Sequence, residues 1–438
     1  MSLSSAKLQK LFSKAVKKHK AGKHREAESL YKKILQDNQS HADSNCMLGT
    51  LYAEGGNTNS ALKYLLLANN LRDDWYLVKN NLGNVYKMRG DYELAHSYYQ
   101  QAINLAPENI AAYNNLAIVC KRQQKIGAAI DLYRKAISLK SDFLEAHYNL
   151  GKLYSDADDR PNAYACYQRV LEIDENYAPA YNQLGDYYRA EQDHGKAIDC
   201  YQSCLQLLEI DHLGVGIKLA LLNEGKIPER SPAHLIVDSY ESKASTWDSD
   251  VKRATMEFLG PQIIKEELDA LYTDQASPTE LRILDLGCGT GLCGDYLAPL
   301  SNQLDGVDLS PHMLRIAEQK GQYTHLYCEE IEAYLQACNT KYELITASGV
   351  MIFFGDLNGI HIKIRDCLTA GGLFVFTTYF SHDDDINIRN NLHFSHSERH
   401  LRRCAQQNSL EIMSIREVVH EYDFGAAQKG FVVALKRH

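Results

Sequence analysis

One short run of the sequence, DLGCGTG at 285–291, places three glycines at alternating positions behind an aspartate. Glycine has no Cβ atom, so Gly287, Gly289 and Gly291 would let a bulky ligand lie directly against the backbone. A dinucleotide-binding loop reads GxGxxG, and the third glycine of that pattern is replaced here by Leu292. The spacing therefore indicates a ligand site on bare backbone that departs from the dinucleotide pattern.

The elements around this run indicate how it is positioned. From Arg282 onward, short apolar segments alternate with helical stretches. The expected strands are 282–287, 303–308, 325–330, 343–348 and 373–379. Such alternation predicts a parallel sheet covered by helices on both faces. Ligands of these sheets bind at the carboxyl ends of the strands, where the glycine run and Asp308 both fall.

The run DLGCGTG resembles motif I of the class I S-adenosylmethionine-dependent methyltransferases, and residues 232–438 are similar to that family throughout. The resemblance implies a Rossmann-like α/β domain with a mostly parallel seven-stranded sheet, S-adenosylmethionine as cofactor, and methyl transfer. Asp308 ends the second strand, and its two oxygens would accept the two ribose hydroxyls. Glu330 would accept the adenine amino group, with the N–H of Ile331 facing the ring.

By this resemblance, the cofactor site comprises Tyr240, Asp285, Gly287, Gly289, Gly291, Asp308, Leu309, Met313, Glu330, Ile331 and Ser348. Met313 would pack on the adenine. Tyr240 and Trp247, within YESKASTWD at 240–248, would shield the sulfonium from water. Taken singly, Asp308 could instead be a helix cap, Glu330 a solvated acid, and Trp247 part of an amphipathic helix.

Three residues are candidates for moving a proton: Tyr379 after the fifth expected strand, and His393 and His396 before the last helix. A base is needed only if the methyl acceptor arrives protonated, and a histidine titrates near neutrality. The alternative is that the histidines pair locally on a loop. Asp383, Asp384 and Asp385 could attract a cationic substrate or simply be solvated. Gly349 and Phe353 stand where the family often has an aspartate and a tyrosine, which excludes a base at either place.

The first half of the chain repeats with a period of 34 residues. Alanines recur at that interval from Ala27 to Ala197, and the glycines and tyrosines follow it with few exceptions. Small residues let paired helices approach closely, and a tyrosine on the second helix would fill the gap between neighbouring pairs. The pattern resembles the tetratricopeptide repeat, in six units over 8–211. This implies an all-α solenoid that binds peptides or proteins.

Amide side chains recur at the same period, as Asn81, Asn115 and Asn149 followed by Gln183. On the first helix of each pair they would line the inner groove and bond an extended peptide backbone. The series resembles the asparagine ladder of O-GlcNAc transferase. The alternative is that these amides cap neighbouring backbone groups. Nearby Lys121, Arg122 and Lys152 would favour an acidic peptide.

Boundaries follow from where the period stops. We expect a solenoid with a capping helix over 1–223, a linker at 224–233, and the methyltransferase domain at 234–438. Residues 1–230 hold 29 Lys and Arg against 27 Asp and Glu, a net charge of +2, whereas the remainder holds 18 against 29, a net charge of −11. An acidic domain would repel phosphate backbones, so we expect no nucleic-acid substrate.

Composition narrows the remaining classes. The eleven cysteines show no metal-ligand spacing, so we expect no metal. The sequence has no long apolar run and no apolar segment typical of a secretory signal, which predicts a soluble cytoplasmic protein.

Three functions remain open. The preferred one is a methyltransferase whose repeats recruit a protein or peptide. The others are a small-molecule methyltransferase tethered to a partner complex, and a cofactor-binding scaffold without turnover. FSHSERHLRRCA, near the end of the chain, resembles a small group of predicted repeat-containing methyltransferases.

Overall fold

The computed structural model describes residues 5–241, 244, 246–250, 252–253, 256–272, 280–382, 385–423 and 426–438. In the described residues the first twelve helices follow one another as the period of 34 predicts, and ten of them pack in pairs as helical hairpins. The pairs are α1 (Ser5–Lys20) with α2 (His24–Asp37), α3 (Ala42–Glu54) with α4 (Thr58–Leu71), α5 (Tyr76–Met88) with α6 (Tyr92–Leu105), α7 (Ile110–Arg122) with α8 (Ile126–Leu139), and α9 (Leu144–Asp156) with α10 (Arg160–Ile173); α11 (Ala178–Ala190) and α12 (His194–Gln206) follow them along the chain.

The repeated small residues are where two helices come closest. A Cβ atom on Gly83 of α5 would lie 2.6 Å from Tyr99 Cε1 of α6, and one on Gly151 would lie 2.7 Å from Tyr167 Cε1. The tyrosines at this period are buried, as are the alanines from Ala27 to Ala197. The tyrosine ring therefore fills the space that the glycine leaves within one hairpin, whereas the sequence had led us to expect it between neighbouring hairpins.

By the density of contacts between residues, the chain divides into a unit of Met1–Tyr187 and a unit of Tyr188–His438. The second unit thus includes α12, the short helix α13 (Val215–Leu221) and the α/β domain. Gly214 begins α13 with a φ of +67°. Ile217 of α13 packs with Ile388 and Phe394, so this helix belongs to the core of the second unit.

The second unit is built on one mixed sheet. Its helices are α14 (Ala233–Glu241), α15 (Trp247–Asp250), α16 (Gly260–Leu271), α17 (Gly294–Leu297), α18 (Pro311–Lys320), α19 (Ile331–Ala337), α20 (Asn358–Cys367) and α21 (Glu398–Gln407). Its strands are β1 (Lys252–Arg253), β2 (Met256–Phe258), β3 (Leu281–Leu286), β4 (Ser301–Asp308), β5 (His325–Cys328), β6 (Tyr342–Ala347), β7 (Leu368–Phe380), β8 (Ile386–Ile388), β9 (Phe394–His396), β10 (Leu410–Asp423) and β11 (Ala426–Arg437).

The strand order is β5-β4-β3-β6-β7-β11-β10-β2-β1, with β9 beside β7 and β8 beside β9. Strands β3 to β7 pair in parallel, whereas β10 and β11 are antiparallel. The prediction of a Rossmann-like, mostly parallel sheet is confirmed for its seven principal strands. Four short strands extend it in the described part of the chain, and the sequence did not indicate them.

Two apolar layers cover the sheet, because successive strand residues point to opposite faces. Ile283 and Val375 pack with α16 and α17, whereas Leu284 and Phe376 pack with α19, α20 and α21. This arrangement fixes the carboxyl ends of β3, β4 and β6, from which the glycine run and Asp308 project. No helix among the described residues is long and apolar enough to cross a membrane.

Candidate functional site

The glycine run follows β3 and adopts a conformation that other residues rarely take. Gly287, Gly289 and Gly291 have φ angles of +65°, +54° and +84°. A Cβ atom on Gly287 would lie 2.3 Å from Val350 Cγ2, whereas one on Gly289 would meet no atom within 4 Å. The run is therefore packed at Gly287 and open at Gly289, where a ligand could approach bare backbone.

Asp308 ends β4 next to this run, and backbone N–H groups hold its carboxylate. Gly289 donates its N–H to Asp308 Oδ2 at 3.0 Å, and Ser310 donates to Oδ1 at 2.8 Å. Ser310 itself caps α18 by accepting the N–H of Met313. Asp308 is thus oriented by the loop that it faces, and both of its oxygens are hydrogen-bond acceptors.

Asp285 supports the loop from below. It is 1% exposed and accepts hydrogen bonds from Tyr323 Oη at 2.8 Å and Thr346 Oγ1 at 2.9 Å. Burial raises the pKa of its carboxyl group to about 6, and the two hydroxyl donors partly oppose that rise. Tyr323 also packs near Gly291, so these residues position the loop without facing a ligand.

A cavity of about 400 Å³ opens at this edge of the sheet. The predicted residues that line it are Tyr240, Gly287, Gly289, Asp308, Leu309, Met313, Glu330, Ile331, Ser348, Tyr379 and His393. Asp285, Gly291 and His396 are not among its lining residues. The structure therefore brings eleven of the fourteen predicted cofactor and catalytic residues together around one space.

Glu330 has partners that the sequence did not indicate. Arg230 Nη1 lies 2.5 Å from Glu330 Oε1 and 3.0 Å from Glu332 Oε2. Glu330 Oε2 also accepts the N–H of Ala333 and so caps α19. The Glu330 carboxylate thus caps a helix and forms an ion pair, whereas the alternative considered from the sequence was a solvated acid. An adenine amino group would have to share it with Arg230.

Aromatic side chains form one wall of the cavity. The Tyr240 ring contacts Trp247 edge-on, with centroids 5.2 Å apart, and meets Phe353 at 6.1 Å. Burial raises the pKa of Tyr240, so its hydroxyl stays protonated. Asp248 accepts a hydrogen bond from Thr290 and pairs with Lys320 at 2.6 Å, which ties this wall to the glycine run. Residues 242, 243 and 245 of the expected closing helix lie outside the described residues.

The opposite end of the cavity contains Tyr379 and His393. Their rings stack with centroids 6.0 Å apart, and Phe353 contacts His393 edge-on at 5.1 Å. Tyr379 donates its hydroxyl hydrogen to Glu421 Oε1 at 2.5 Å. Burial and the nearby Glu421 carboxylate raise the pKa of Tyr379, which therefore acts as a donor and not as a base.

His396 lies elsewhere, in the core. It is 0% exposed, and its Nε2 donates to the carbonyls of Phe354 and Gly355 while its Nδ1 accepts from Thr378 Oγ1. Burial lowers its pKa to about 4. Both ring nitrogens are used in holding β9 against the sheet, so the structure places it as a structural residue.

The acidic run before β8 is described only at its last residue. Asp385 pairs with Arg399 at 2.8 Å and with Arg403, and these guanidinium groups lower its pKa. Its charge is therefore compensated within the chain. Asp383 and Asp384 lie outside the described residues.

Two further residues of β10, His420 and Glu421, line the same cavity. They follow β3 by more than a hundred residues and carry no local motif, so nothing in the sequence marked them. Only the antiparallel pairing of β10 with β11 and β2 brings them to the ends of the parallel strands.

In the first part of the chain, the amide series bonds to side chains of neighbouring helices. The bonds are Asn81 Nδ2 to Thr50 Oγ1 at 2.8 Å, Asn149 Nδ2 to Asn114 Oδ1 at 3.3 Å, Lys87 Nζ to Asn115 Oδ1 at 3.4 Å, and Tyr167 Oη to Gln183 Oε1 at 3.2 Å. These amides thus help join successive repeats. A role in binding a peptide would use their remaining donors and acceptors.

Comparison with known proteins agrees with both halves. The methyltransferase domain family matches residues 284–374, and the tetratricopeptide repeat family matches 77–142 and 142–210. Malonyl-(acyl-carrier protein) O-methyltransferase of Acetivibrio thermocellus is 30% identical over 26% of this chain and 40% of its own length. The 18S rRNA (guanine-N(7))-methyltransferase of Bos taurus is 28% identical over 37% of this chain and 60% of its own length. Ubiquinone biosynthesis O-methyltransferase of Glaesserella parasuis is 26% identical over 32% and 62%.

The chain thus spans about 40 to 60% of the length of these relatives. Among solved structures, MamA is 27% identical with a TM-score of 0.35, covering 38% of this chain and 96% of its own. Pseudomonas aeruginosa PilF is 17% identical with a TM-score of 0.42, covering 46% and 91%. Scores this low carry no argument about function. The prediction of tetratricopeptide repeats followed by a methyltransferase domain is confirmed.

Proposed function

We propose that this chain, which joins tetratricopeptide repeats to a methyltransferase domain, is an S-adenosylmethionine-dependent methyltransferase whose repeats recruit a protein or peptide substrate. The observation that carries the proposal is Asp308, fixed at the end of β4 by the N–H groups of Gly289 and Ser310. A carboxylate beside bare backbone offers two acceptor oxygens, which suits a ribose diol without a phosphate.

The cavity fits this cofactor in size and chemistry. Its volume of about 400 Å³ is in the range of small-molecule sites. Gly289 leaves open space where a side chain would stand, and buried Met313 offers an apolar surface for the adenine ring. When bound, S-adenosylmethionine supplies a methyl group on a positively charged sulfur.

The residues of the chain itself position the methyl acceptor and exclude water from the site. Tyr240, Trp247 and Phe353 form an aromatic wall, which removes solvent and attracts a cationic centre. Holding the acceptor in line with the methyl group can supply much of the rate enhancement. Gly349 and Phe353 rule out a base at their own positions only, because Glu421 and His393 also line the cavity.

Recruitment by the repeats would raise the local concentration of the substrate. Repeats of this type commonly bind proteins, and the half-buried amides of the series retain unused donors and acceptors. The relatives act, by their names, on a carrier-protein-bound group, an RNA base and a quinone precursor. They therefore leave the acceptor of this chain open.

Calorimetric titration of S-adenosylmethionine into the full chain tests the cofactor. We expect micromolar binding that Asp308→Ala and Gly289→Arg abolish, and unchanged binding in Gly371→Ala, whose glycine lies outside the cavity. Absence of binding to the unaltered chain would refute the proposal.

A transfer assay with tritiated cofactor in cell lysate tests the substrate class. We expect a discrete labelled protein, with labelling reduced in the full chain carrying alanine at Asn81, Asn115 and Asn149. Label confined to small organic molecules would favour the tethered small-molecule enzyme. Cofactor binding without any transfer would favour the scaffold.

A further inference from the structure

His420 on β10 is a buried histidine in the cavity wall with one nitrogen unused. It is 0% exposed, and its Nε2 lies 3.0 Å from Thr377 Oγ1. Phe258 and Tyr379 hold the ring edge-on, with centroids 5.4 Å and 5.1 Å away. Its Nδ1 is buried without a hydrogen-bond partner within the described part of the chain.

The proton of this ring is our assignment from its hydrogen bonds. Thr377 Oγ1 accepts the N–H of Gly349 at 2.9 Å, and we assign the hydroxyl hydrogen of Thr377 to the bond with His420 Nε2. Burial lowers the pKa of His420 to about 3, so the ring is neutral near pH 7. A neutral imidazole that accepts at Nε2 carries its proton on Nδ1. With this assignment the wall contains a buried N–H donor that has no acceptor among the residues the structure describes, which is uncommon in native proteins.

An acceptor lies beside this donor. Glu421 Oε2 is 3.9 Å from His420 Nδ1, too far for a direct hydrogen bond. Glu421 lines the cavity and its Oε1 accepts from Tyr379; a carboxylate has about four lone-pair positions and can take part in several hydrogen bonds at once. An oxygen placed about 2.9 Å from Nδ1 and about 2.7 Å from Oε2 would see the two atoms at roughly 90°. A hydroxyl group satisfies both, because one oxygen accepts and donates, whereas an ammonium only donates.

The side chains around His420 and Glu421 indicate which class of hydroxyl compound would bind there. Rings of Phe353, Tyr379 and His393 line this end of the cavity and suit a flat aromatic group. A carboxylate is a weak base, and phenols, with a pKa of about 10 as in tyrosine, lose a proton far more readily than aliphatic alcohols. We propose that His420 and Glu421 form a subsite for a phenolic hydroxyl, and that the methyl acceptor of this chain is a phenol.

In this subsite, His420 Nδ1–H holds the phenol oxygen and Glu421 takes its proton. The oxygen forms a bond to the methyl carbon while the carbon–sulfur bond breaks, its electron pair staying on sulfur. The products are an aryl methyl ether, a neutral thioether and protonated Glu421, which returns its proton to solvent. The inference rests on the proposed methyltransferase function and goes on to name its acceptor.

The test uses the full chain, tritiated S-adenosylmethionine, and the matched probes 4-methylphenol and 4-methylaniline, with protein and small-molecule fractions of cell lysate as further arms. We expect an alkali-stable aryl methyl ether in at least one arm and no methylated amine. A tyrosine ether in the protein fraction and an ether in the small-molecule fraction distinguish the two sources of the phenol.

Variants test the two residues. Glu421→Gln should slow ether formation from 4-methylphenol about 100-fold or more. Methylation of 4-nitrophenol should slow much less in this variant, because that phenol is already ionised at the assay pH and needs no base. His420→Phe should slow ether formation from 4-methylphenol about tenfold. The matched control is Glu417→Gln, because Glu417 is an exposed glutamate on the same strand. This variant should methylate both phenols at the rate of the unaltered chain.

Calorimetry with S-adenosylmethionine separates this inference from the proposed function. If the unaltered chain binds no cofactor, the proposed function fails and this inference fails with it. If the cofactor binds to the chain and its variants alike, three results would overturn the phenol subsite alone. These are methylated amine or methyl ester as the product, ether formation unaffected by Glu421→Gln, and no ether in any arm.

Discussion

Three glycines with positive φ allow the effects of backbone strain, side-chain packing and lost ligand space to be measured separately. Gly287, Gly289 and Gly371 all have positive φ, which costs an alanine about 1–2 kcal/mol, partly offset by the lower entropy of its unfolded chain. A Cβ on Gly287 would overlap Val350 at 2.3 Å, whereas Gly289 and Gly371 have no atom within 4 Å. Gly371 lies outside the cavity, so it measures the backbone cost alone.

We expect Gly371→Ala and Gly289→Ala to lower the free energy of unfolding of the second unit equally, by about 1 kcal/mol. Gly287→Ala should lower it by about 2–4 kcal/mol, because overpacking adds about 1–3 kcal/mol. In Gly289→Ala the new methyl group occupies ligand space. A similar penalty of about 1–3 kcal/mol would weaken S-adenosylmethionine binding about 5- to 140-fold.

Stability is measured by urea unfolding, following tryptophan fluorescence. The chain has two tryptophans, so a Trp75→Phe background leaves Trp247 to report on the second unit. Affinity is measured by calorimetry on the same proteins. The reasoning is refuted if Gly289→Ala binds the cofactor as tightly as Gly371→Ala, or if Gly287→Ala is no less stable than either.

Three further predictions concern other parts of the chain. Asp308→Asn should weaken S-adenosylmethionine binding about tenfold or more, since an amide cannot accept at both positions; unchanged calorimetric affinity would contradict this. His361 is fully buried, its ring nitrogens have no hydrogen-bond partner within the described residues, and burial lowers its pKa to about 3. The stability that depends on a neutral His361 is complete above the unfolded pKa of about 6.5 and is lost as pH falls from there towards 3. His361→Phe should therefore raise the free energy of unfolding and make it fall less between pH 6.5 and 4, as measured by urea titration; a steeper fall in the variant would contradict this. Gly83→Ala should destabilise the repeats by about 1–3 kcal/mol through overlap with Tyr99, whereas Gly127→Ala, with open space around it, should not lower their thermal midpoint.

The sequence was sufficient where a pattern is local or periodic. The glycine run and the strand ends fixed the place of Asp308, because parallel strands align their carboxyl ends. The period of 34 predicted the helix pairs and their close approach at the small residues, because each repeat meets only its neighbours. These features need no knowledge of distant contacts.

It was insufficient where distant segments meet. Arg230 reaches Glu330 across a hundred residues, and β10 brings His420 and Glu421 into the cavity only after pairing with β11. His396 was expected at the site by its position before the last helix, but its ring faces two carbonyls in the core. A histidine's direction depends on such tertiary contacts, which spacing does not encode.

The stretch expected to be a linker has a practical consequence for dissecting this protein. Ser231 donates its N–H to Phe353 O, Gly355 donates to Glu229 O, and Arg230 lines the cavity mouth beside Glu330. A fragment that begins at residue 234 would therefore lack the contacts of Glu229, Arg230 and Ser231 at the cavity, even if it folded. An excised fragment of the methyltransferase domain should begin upstream of α13, and inactivity of a shorter fragment would not show that the repeats are required.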